Sequence, residues 1–197
     1  MDQNLPPPFN REIAHKIVLK YLKNQNLIKH SYAAEAVMRS LYKKLNSADF
    51  KADEEEKWGI TGLLHDADYE LCKGKPEIHG VLISEKEPII PQDIAYAIKA
   101  HNYEKTLVLP KSHMDWSIAC CDQLTGLIVA ATLIHPEKKL SVITTEFILN
   151  RYHERSFAKG ADRKSIEKCE EKLDIPLRDF VALSLNAMQK ISDDLGL

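Results

Sequence analysis

Apolar residues recur every three or four positions along most of the chain, the spacing that places them on one face of a helix. Runs of this kind cover about residues 28–45, 53–65, 94–101 and 112–134. Alternating β-branched runs, which would indicate strands, are scarce. The pattern predicts an all-α bundle of about eight or nine helices.

Local signals predict several helix ends. Asn10 is suited to cap the first helix, and Ser112 with Asp115 is suited to cap a long helix that ends near Ile134. Three further helices are predicted near residues 142–152, 165–173 and 177–195. Gly62 costs helix propensity within its helix, so we interpret it as a point where a neighbouring backbone comes close.

No linker with a shift in composition divides the chain. We therefore predict a single domain over residues 1–197, with a core at 28–134 and a C-terminal helical extension at 135–197. A chain of 197 residues is long enough to bury such a core without disulfides.

Composition and charge narrow the class of protein. Hydrophobic residues make up 44% and charged residues 28%, which is typical of a globular chain. The net charge of −2 gives no basic surplus that would indicate a nucleic acid or an anionic membrane as partner. The longest mostly apolar stretch, 124–134, is too short to span a bilayer, and the N-terminus lacks the apolar segment of a signal peptide. The four cysteines show no CxxC spacing, which favours a cytoplasmic location.

Histidines and acids on the apolar helix faces are the candidate chemistry. Burying an unpaired carboxylate is costly, and a buried imidazole needs partners for both ring nitrogens. Six such groups on successive helices could satisfy one another through metal, since imidazole and carboxylate are both metal ligands. The six residues are His30, His65, Asp66, His79, His101 and Asp122.

Each of these residues also has a simpler interpretation. A single histidine on an apolar face is usually a core residue that is hydrogen-bonded to a carbonyl. Asp122 alone could cap a broken helix or pair with a lysine, and the dipeptide of His65 and Asp66 arises by chance in many chains. The ordered recurrence of all six residues across hydrophobic helices favours the metal site.

In this order, the six residues resemble those of the HD-domain superfamily of metal-dependent phosphohydrolases. GLLHDADYE at 62–70 is similar to the central signature of that superfamily. HG at 79–80, YAIKAH at 96–101 and DQLTGLI at 122–128 are similar to short bacterial proteins of the HDIG type. The resemblance covers about residues 30–128 and extends weakly into SFAKGADR at 156–163. It implies a helical bundle of the HD-domain type, with its metal-binding core at 28–134 and ligands that point into a central cleft.

The resemblance also implies how metal would be held. The minimal pattern of the superfamily implies one ion, and the two additional histidines match the subgroup that holds two. Asp66 would bridge both ions. The other ligands would divide into His30, His65 and Asp122 for one ion and His79 and His101 for the other.

The ligand set implies a hydrolytic function. Two close divalent ions would polarise a phosphate and activate a water, with Asp66 and His65 as the central catalytic pair. Mixed nitrogen and oxygen ligands favour Mn, Fe, Co or Ni over Zn, and Mg is also compatible. We expect cleavage of a phosphoester or phosphoanhydride of a small molecule, with a nucleotide favoured. The alternatives are an HD-type di-iron oxygenase that uses O₂ and a non-catalytic nucleotide-binding module.

The residues shortly after Asp66 include further candidates for a role in the site. Some nucleotidases of the superfamily place a glutamate where this chain has Tyr69, so that role is not transferred. Asp68 and Glu70 could support a histidine or hold a water, but we interpret both as exposed loop acids.

Substrate phosphates also require cations. Lys159 and Arg163 in the segment SFAKGADRK, together with Lys73 in the loop after the His65-Asp66 pair, are the candidate substrate-binding residues. A solvated charged turn is an equally good interpretation of the first two.

Overall fold

The computed structural model describes residues 9–197, of which 70% are helical and none lies in a strand. This confirms the all-α class. The first eight residues, which include most of the segment assessed for a signal peptide, lie outside the described residues.

Twelve α-helical segments follow one another along the described residues. They are α1 Arg11–Tyr21, α2 Gln25–Leu45, α3 Ala52–Leu64, α4 Tyr69–Cys72, α5 Leu82–Lys86, α6 Gln92–His101, α7 Tyr103–Thr106, α8 His113–Ile134, α9 Thr145–His153, α10 Arg163–Leu173, α11 Leu177–Gln189 and α12 Ser192–Leu195. Short 3₁₀ turns cover Pro76–Ile78 and Leu140–Val142.

The helix count exceeds the predicted eight or nine because single helical turns show no periodic pattern. The segments α4, α5, α7 and α12 have only four or five residues each. The single helix predicted over 177–195 is in fact two, since the chain leaves helical geometry at Ile191.

Both predicted N-caps are present. The side chain of Asn10 accepts a hydrogen bond from the Ile13 amide at 3.0 Å. Ser112 and Asp115 form a reciprocal capping box at the start of α8. These caps fix where α1 and α8 begin and hence which of their faces are buried.

The central packing involves α2, α3, α6 and α8. Helix α2 packs on α3 and α8, and α6 packs on the same two helices. A Cβ atom at Gly62 would lie 2.6 Å from the Ala34 carbonyl oxygen, so α3 needs glycine there to approach α2. The predicted role of Gly62 is therefore confirmed.

Two hydrophobic clusters lie on either side of this central group. One unites α2, α8 and the C-terminal helices, with Leu41, Leu124 and Phe180 fully buried. The other unites α1, α3, α5 and α6, with Leu63 and Ile98 fully buried. Residues 135–197 thus share a core with α2 and α8.

Helix α8 is long and apolar enough to cross a membrane by length and composition alone, and 61% of the relevant stretch is buried inside the protein. The apolar stretch recognised at 124–134 is therefore only the second half of a 22-residue helix. Its burial against α2, α6 and α10 accounts for its apolar character within the fold.

A buried carboxylate ties the first three helices together. Glu35 of α2 accepts two hydrogen bonds from Arg11, at 2.7 and 2.9 Å, and two from Arg39, at 3.1 and 2.9 Å. Arg39 also donates to Glu56 of α3 at 2.9 Å. Charge-assisted and bidentate hydrogen bonds of this kind are the stronger ones in proteins.

Glu35→Ala should lower the free energy of unfolding by about 2 kcal/mol, because it leaves the partly buried Arg39 without its main partner. Urea denaturation of the purified variant measures this. The matched control is Glu12→Ala, which removes an exposed pair with Lys16 and should leave the urea midpoint nearly unchanged. Equal midpoints for the two variants would contradict the structural role of Glu35.

Candidate metal centre

The six predicted ligands converge on one point of the structure. Asp66 Oδ1 lies 3.0 Å from His79 Nε2, 3.5 Å from His65 Nε2 and 3.8 Å from His101 Nε2. Asp66 Oδ2 lies 3.6 Å from His30 Nε2. Asp122 completes the group, with its Oδ1 atom 2.9 Å from His30 Nε2 and 3.4 Å from His65 Nε2.

Four of the six ligands lie within or at the end of the four central helices. His65 follows the last residue of α3, and His101 is the last residue of α6. Cations are favoured at helix C-termini, so both helices present their favourable ends to the cluster. His30 and Asp122 project from within α2 and α8, which pack against each other.

Two of the histidines are oriented by their own helices. His65 Nδ1 donates to the Gly62 carbonyl at 2.8 Å, and His101 Nδ1 donates to the Ile98 carbonyl. A carbonyl oxygen can only accept, so Nδ1 carries the proton in both rings. In the neutral ring, each Nε2 atom then has a lone pair that points into the cluster.

The other two histidines are oriented by side chains. His79 Nδ1 donates to Asp68 Oδ1 at 2.9 Å. His30 Nδ1 donates to Thr125 Oγ1 at 3.3 Å, and that hydroxyl in turn donates to the backbone carbonyl of Asp122 at 2.8 Å. When these rings are neutral, as metal binding requires, all four Nε2 atoms would therefore present lone pairs to the same space.

This donor set fits divalent metal ions. The Nε2 atoms of His30 and His65 are 3.2 Å apart, and those of His79 and His101 are 3.1 Å apart. Lone pairs at such distances repel each other unless a proton or metal ion lies between them. Second hydrogen bonds from Nδ1 to oxygen are also the usual support of metal-binding histidines.

The ligand atoms form two groups that share one residue. Within each group the ligand atoms lie within 4.8 Å of one another. The groups are His30, His65, Asp66 and Asp122, and Asp66, His79 and His101. This is the division that the resemblance implied, with Asp66 as the shared ligand.

A third group of potential ligands, Asp68, Cys72 and His79, is explained without metal. The Cys72 thiol donates to the Asp68 backbone carbonyl at 3.1 Å. Burial and the nearby Asp68 raise the pKa of Cys72 to about 12, so the thiol stays protonated at neutral pH in the metal-free protein.

The carboxylates determine the protonation of the cluster in metal-free protein. Burial opposes protonation of His65, but Asp66 and Asp122 outweigh it and raise the pKa of His65 to about 9. Burial also disfavours the charged carboxylates, yet the neighbouring histidines hold the pKa values of Asp66 and Asp122 well below the ordinary range. The cluster is thus arranged to hold positive charge.

The second group shows the same competition. Burial opposes the charged form of His79, but hydrogen bonds to Asp66 and Asp68 raise its pKa to about 10. Burial, together with the proximity of His79 and His65, lowers the pKa of His101 to about 4. One proton in this group therefore occupies His79 while His101 stays neutral.

The interpretation of Asp68 as an exposed loop acid is wrong. Its side chain is fully buried, and besides His79 its carboxylate accepts from the Gly80 amide at 3.0 and 3.1 Å and from the Ile83 amide at 3.0 Å. Gly80 has a φ of +84°, and a Cβ there would lie 2.6 Å from the Ile98 carbonyl. The sequence indicates this role only through the position of Asp68, two residues after Asp66. Glu70 is exposed as expected and accepts a hydrogen bond from the Lys23 amide.

Gln123 is a second residue whose contact with the site the sequence pattern does not predict. Its Nε2 atom donates to Asp122 Oδ2 at 2.7 Å, and its Oε1 atom accepts from the Asp162 amide at 3.0 Å. Gln123 therefore links a ligand carboxylate to the loop that precedes α10. Position next to Asp122 was the only sequence signal for this role.

The predicted substrate cations lie outside the ligand cluster. Arg163 donates four of its five N–H groups to the carbonyls of residues 152, 157, 158 and 161, which holds the loop of 154–162 together. Lys159 is exposed on that loop and lines a cavity with Arg163 and Arg155. Lys73 is exposed at the end of α4, while Lys75 lines a cavity of about 350 Å³ beside His79.

No protein-family model, curated protein or solved structure matches this chain. Its function is therefore inferred from the geometry and chemistry of the site.

Asp68→Asn should reduce the metal content of the group that contains His79. The amide nitrogen of the asparagine would face backbone N–H donors, so the hydrogen bonds that hold residue 68 beside His79 are lost. Loss of a hydrogen-bond partner of a metal-binding histidine typically weakens metal binding by about 10- to 100-fold. Elemental analysis after purification in Mn²⁺ measures this. Glu70→Gln is the matched control, and unchanged metal content in both variants would contradict the role of Asp68.

Metal binding should release protons at neutral pH. His65 and His79, with pKa values of about 9 and 10, are both protonated at pH 7 and must lose those protons to bind metal. Affinity for Mn²⁺ should therefore rise from pH 7 to pH 9. Calorimetry at pH 7 in two buffers of different ionisation enthalpy should show release of about two protons per chain. Release of none, with an affinity independent of pH, would contradict the assignment of these ligands.

Proposed function

We propose that the protein is a metal-dependent phosphohydrolase of the HD-domain type that acts on a small phosphorylated molecule, with a nucleotide favoured. The observation that supports this most strongly is the convergence of four Nε2 atoms and the carboxylates of Asp66 and Asp122, in two groups that share Asp66. The order of these residues along the chain is the order of the HD pattern.

The site's residues have distinct tasks in this proposal. Divalent ions held there would supply Lewis-acid activation of a phosphate and a water that is acidic at neutral pH. Asp66 contributes to both groups. His65 is fully buried, and this burial fixes its position beside Asp66 and Asp122. His30, His79 and Asp122 are the more exposed ligands, so a substrate reaches the cluster on their side.

Mixed imidazole and carboxylate ligands favour Mn, Fe, Co or Ni over Zn, and Mg is also compatible. Phosphoryl transfer depends mainly on positioning and charge stabilisation, so few further catalytic groups are needed. The proposed partner is a small phosphorylated substrate, with no nucleic acid and no membrane, and the proposed location is the cytoplasm.

Asp66→Ala should abolish phosphate release and reduce bound metal in both groups, because Asp66 is their common ligand. The measurement combines elemental analysis with a phosphate-release screen of nucleotides and other small phosphoesters, using protein purified without chelator and without air. Glu70→Gln serves as the matched control and should retain both metal and activity. Helical circular dichroism should be the same for all three proteins.

The outcomes separate the candidate functions. Phosphate release that disappears in Asp66→Ala supports the hydrolase, whereas full activity of that variant refutes the metal mechanism. Two irons per chain with oxygen consumption on substrate addition, and no phosphate release, would indicate the di-iron oxygenase. Nucleotide binding without turnover would indicate the binding module.

Equal loss of metal from both groups in His79→Ala would contradict the division into two sites.

A further inference from the structure

Gly126 lies inside the long helix α8 in a position that packing does not explain. Glycine weakens a helix interior, so it usually has a packing or functional reason there. In α3, Gly62 and Gly59 have such reasons, since a Cβ at either position would clash with Ala34 or Arg39. A Cβ at Gly126 would meet no atom within 4 Å.

Gly126 is exposed, and the open space beside it adjoins the metal centre. Gly126 follows Asp122 by four residues, so the two lie one above the other on α8. Two cavities, of about 320 and 380 Å³, are both lined by Gly126 and His30. Both cavities therefore lie beside His30, at the edge of the metal centre.

The walls of both cavities are more apolar than polar. The smaller one is lined by Asp122 and Gln123 and by three residues of the loop before α10, Ala158, Gly160 and Ala161. The larger one is lined mainly by apolar side chains, among them Val129, Leu133 and Leu195, with Lys29 contributing a positive charge. Its volume lies within the range of pockets that bury small ligands.

We propose that the larger cavity, the Gly126 pocket, binds an apolar aromatic part of the substrate while the attached phosphate lies at the metal centre. The inference rests on the proposed function, since it assumes a phosphorylated ligand at the cluster. Gly126 is then a specificity-determining residue: it keeps open the passage between the metal centre and the apolar wall formed by Val129 and Leu133.

The test is a binding measurement that needs no turnover. Phenylphosphonate and methylphosphonate share a charged head group but differ in the apolar part. Calorimetry on the Mn²⁺-loaded full chain should show phenylphosphonate binding about tenfold more tightly, the gain expected from burying a ring partly. Gly126→Leu should remove this preference and leave metal content unchanged, because the leucine side chain would occupy the pocket.

A second pair of variants protects the test from folding effects. Leu133 is 49% exposed and lines the pocket, whereas its neighbour Ile134 is 53% exposed and does not line it. Leu133→Asn should lower the preference for phenylphosphonate by several-fold, and Ile134→Asn should leave it unchanged. Both substitutions are at the surface, so both proteins should keep the unfolding midpoint of the parent.

Failure of this inference and failure of the proposed function give different results. If no phosphoester is hydrolysed but the aromatic preference exists and disappears in Gly126→Leu, the pocket is supported and the hydrolase is not. If phosphate is released but the two phosphonates bind equally, or Gly126→Leu keeps the preference, the pocket is refuted alone. Absence of phenylphosphonate binding to the metal-loaded protein also refutes the pocket.

Discussion

Four imidazole nitrogens and two carboxylates share one small buried space, and their electrostatics constrain the structure around them. The paired Nε2 atoms are only 3.1 and 3.2 Å apart, a distance that free lone pairs do not tolerate without a cation between them. Two carboxylates in the same space repel each other for the same reason. Only positive charge, carried by protons or by metal ions, resolves both conflicts, and the surrounding helices are placed to keep these groups together.

The helix ends do much of this positioning. His65 and His101 each donate to the carbonyl three residues earlier, so the end of the helix itself sets the direction of the ring. His79 lies outside regular helix and depends on Asp68, whose carboxylate also anchors two backbone amides. The ligand on the least regular segment therefore has the most extensive support.

The C-terminal third of the chain belongs to the same arrangement. Its helices share a core with α2 and α8, and the loop before α10 contacts Gln123, the residue that hydrogen-bonds to the Asp122 carboxylate. Arg163 holds this loop through four carbonyls. The residues near the end of the chain also line the apolar cavity beside His30. The segment thus forms one wall of the candidate site.

The sequence by itself determined the helical class, the caps at Asn10 and Ser112 and the six candidate ligands, because periodicity, capping and residue chemistry are local properties of the chain. It also indicated the close approach at Gly62. Only the tertiary structure decided which neighbours support the ligands. The sequence around Asp68 is typical of an exposed loop acid, but the fold surrounds its carboxylate with backbone amides. The same holds for Arg163, whose guanidinium binds carbonyls of its own loop. Burial and hydrogen-bond partners arise from segments distant in sequence, and no local pattern records them.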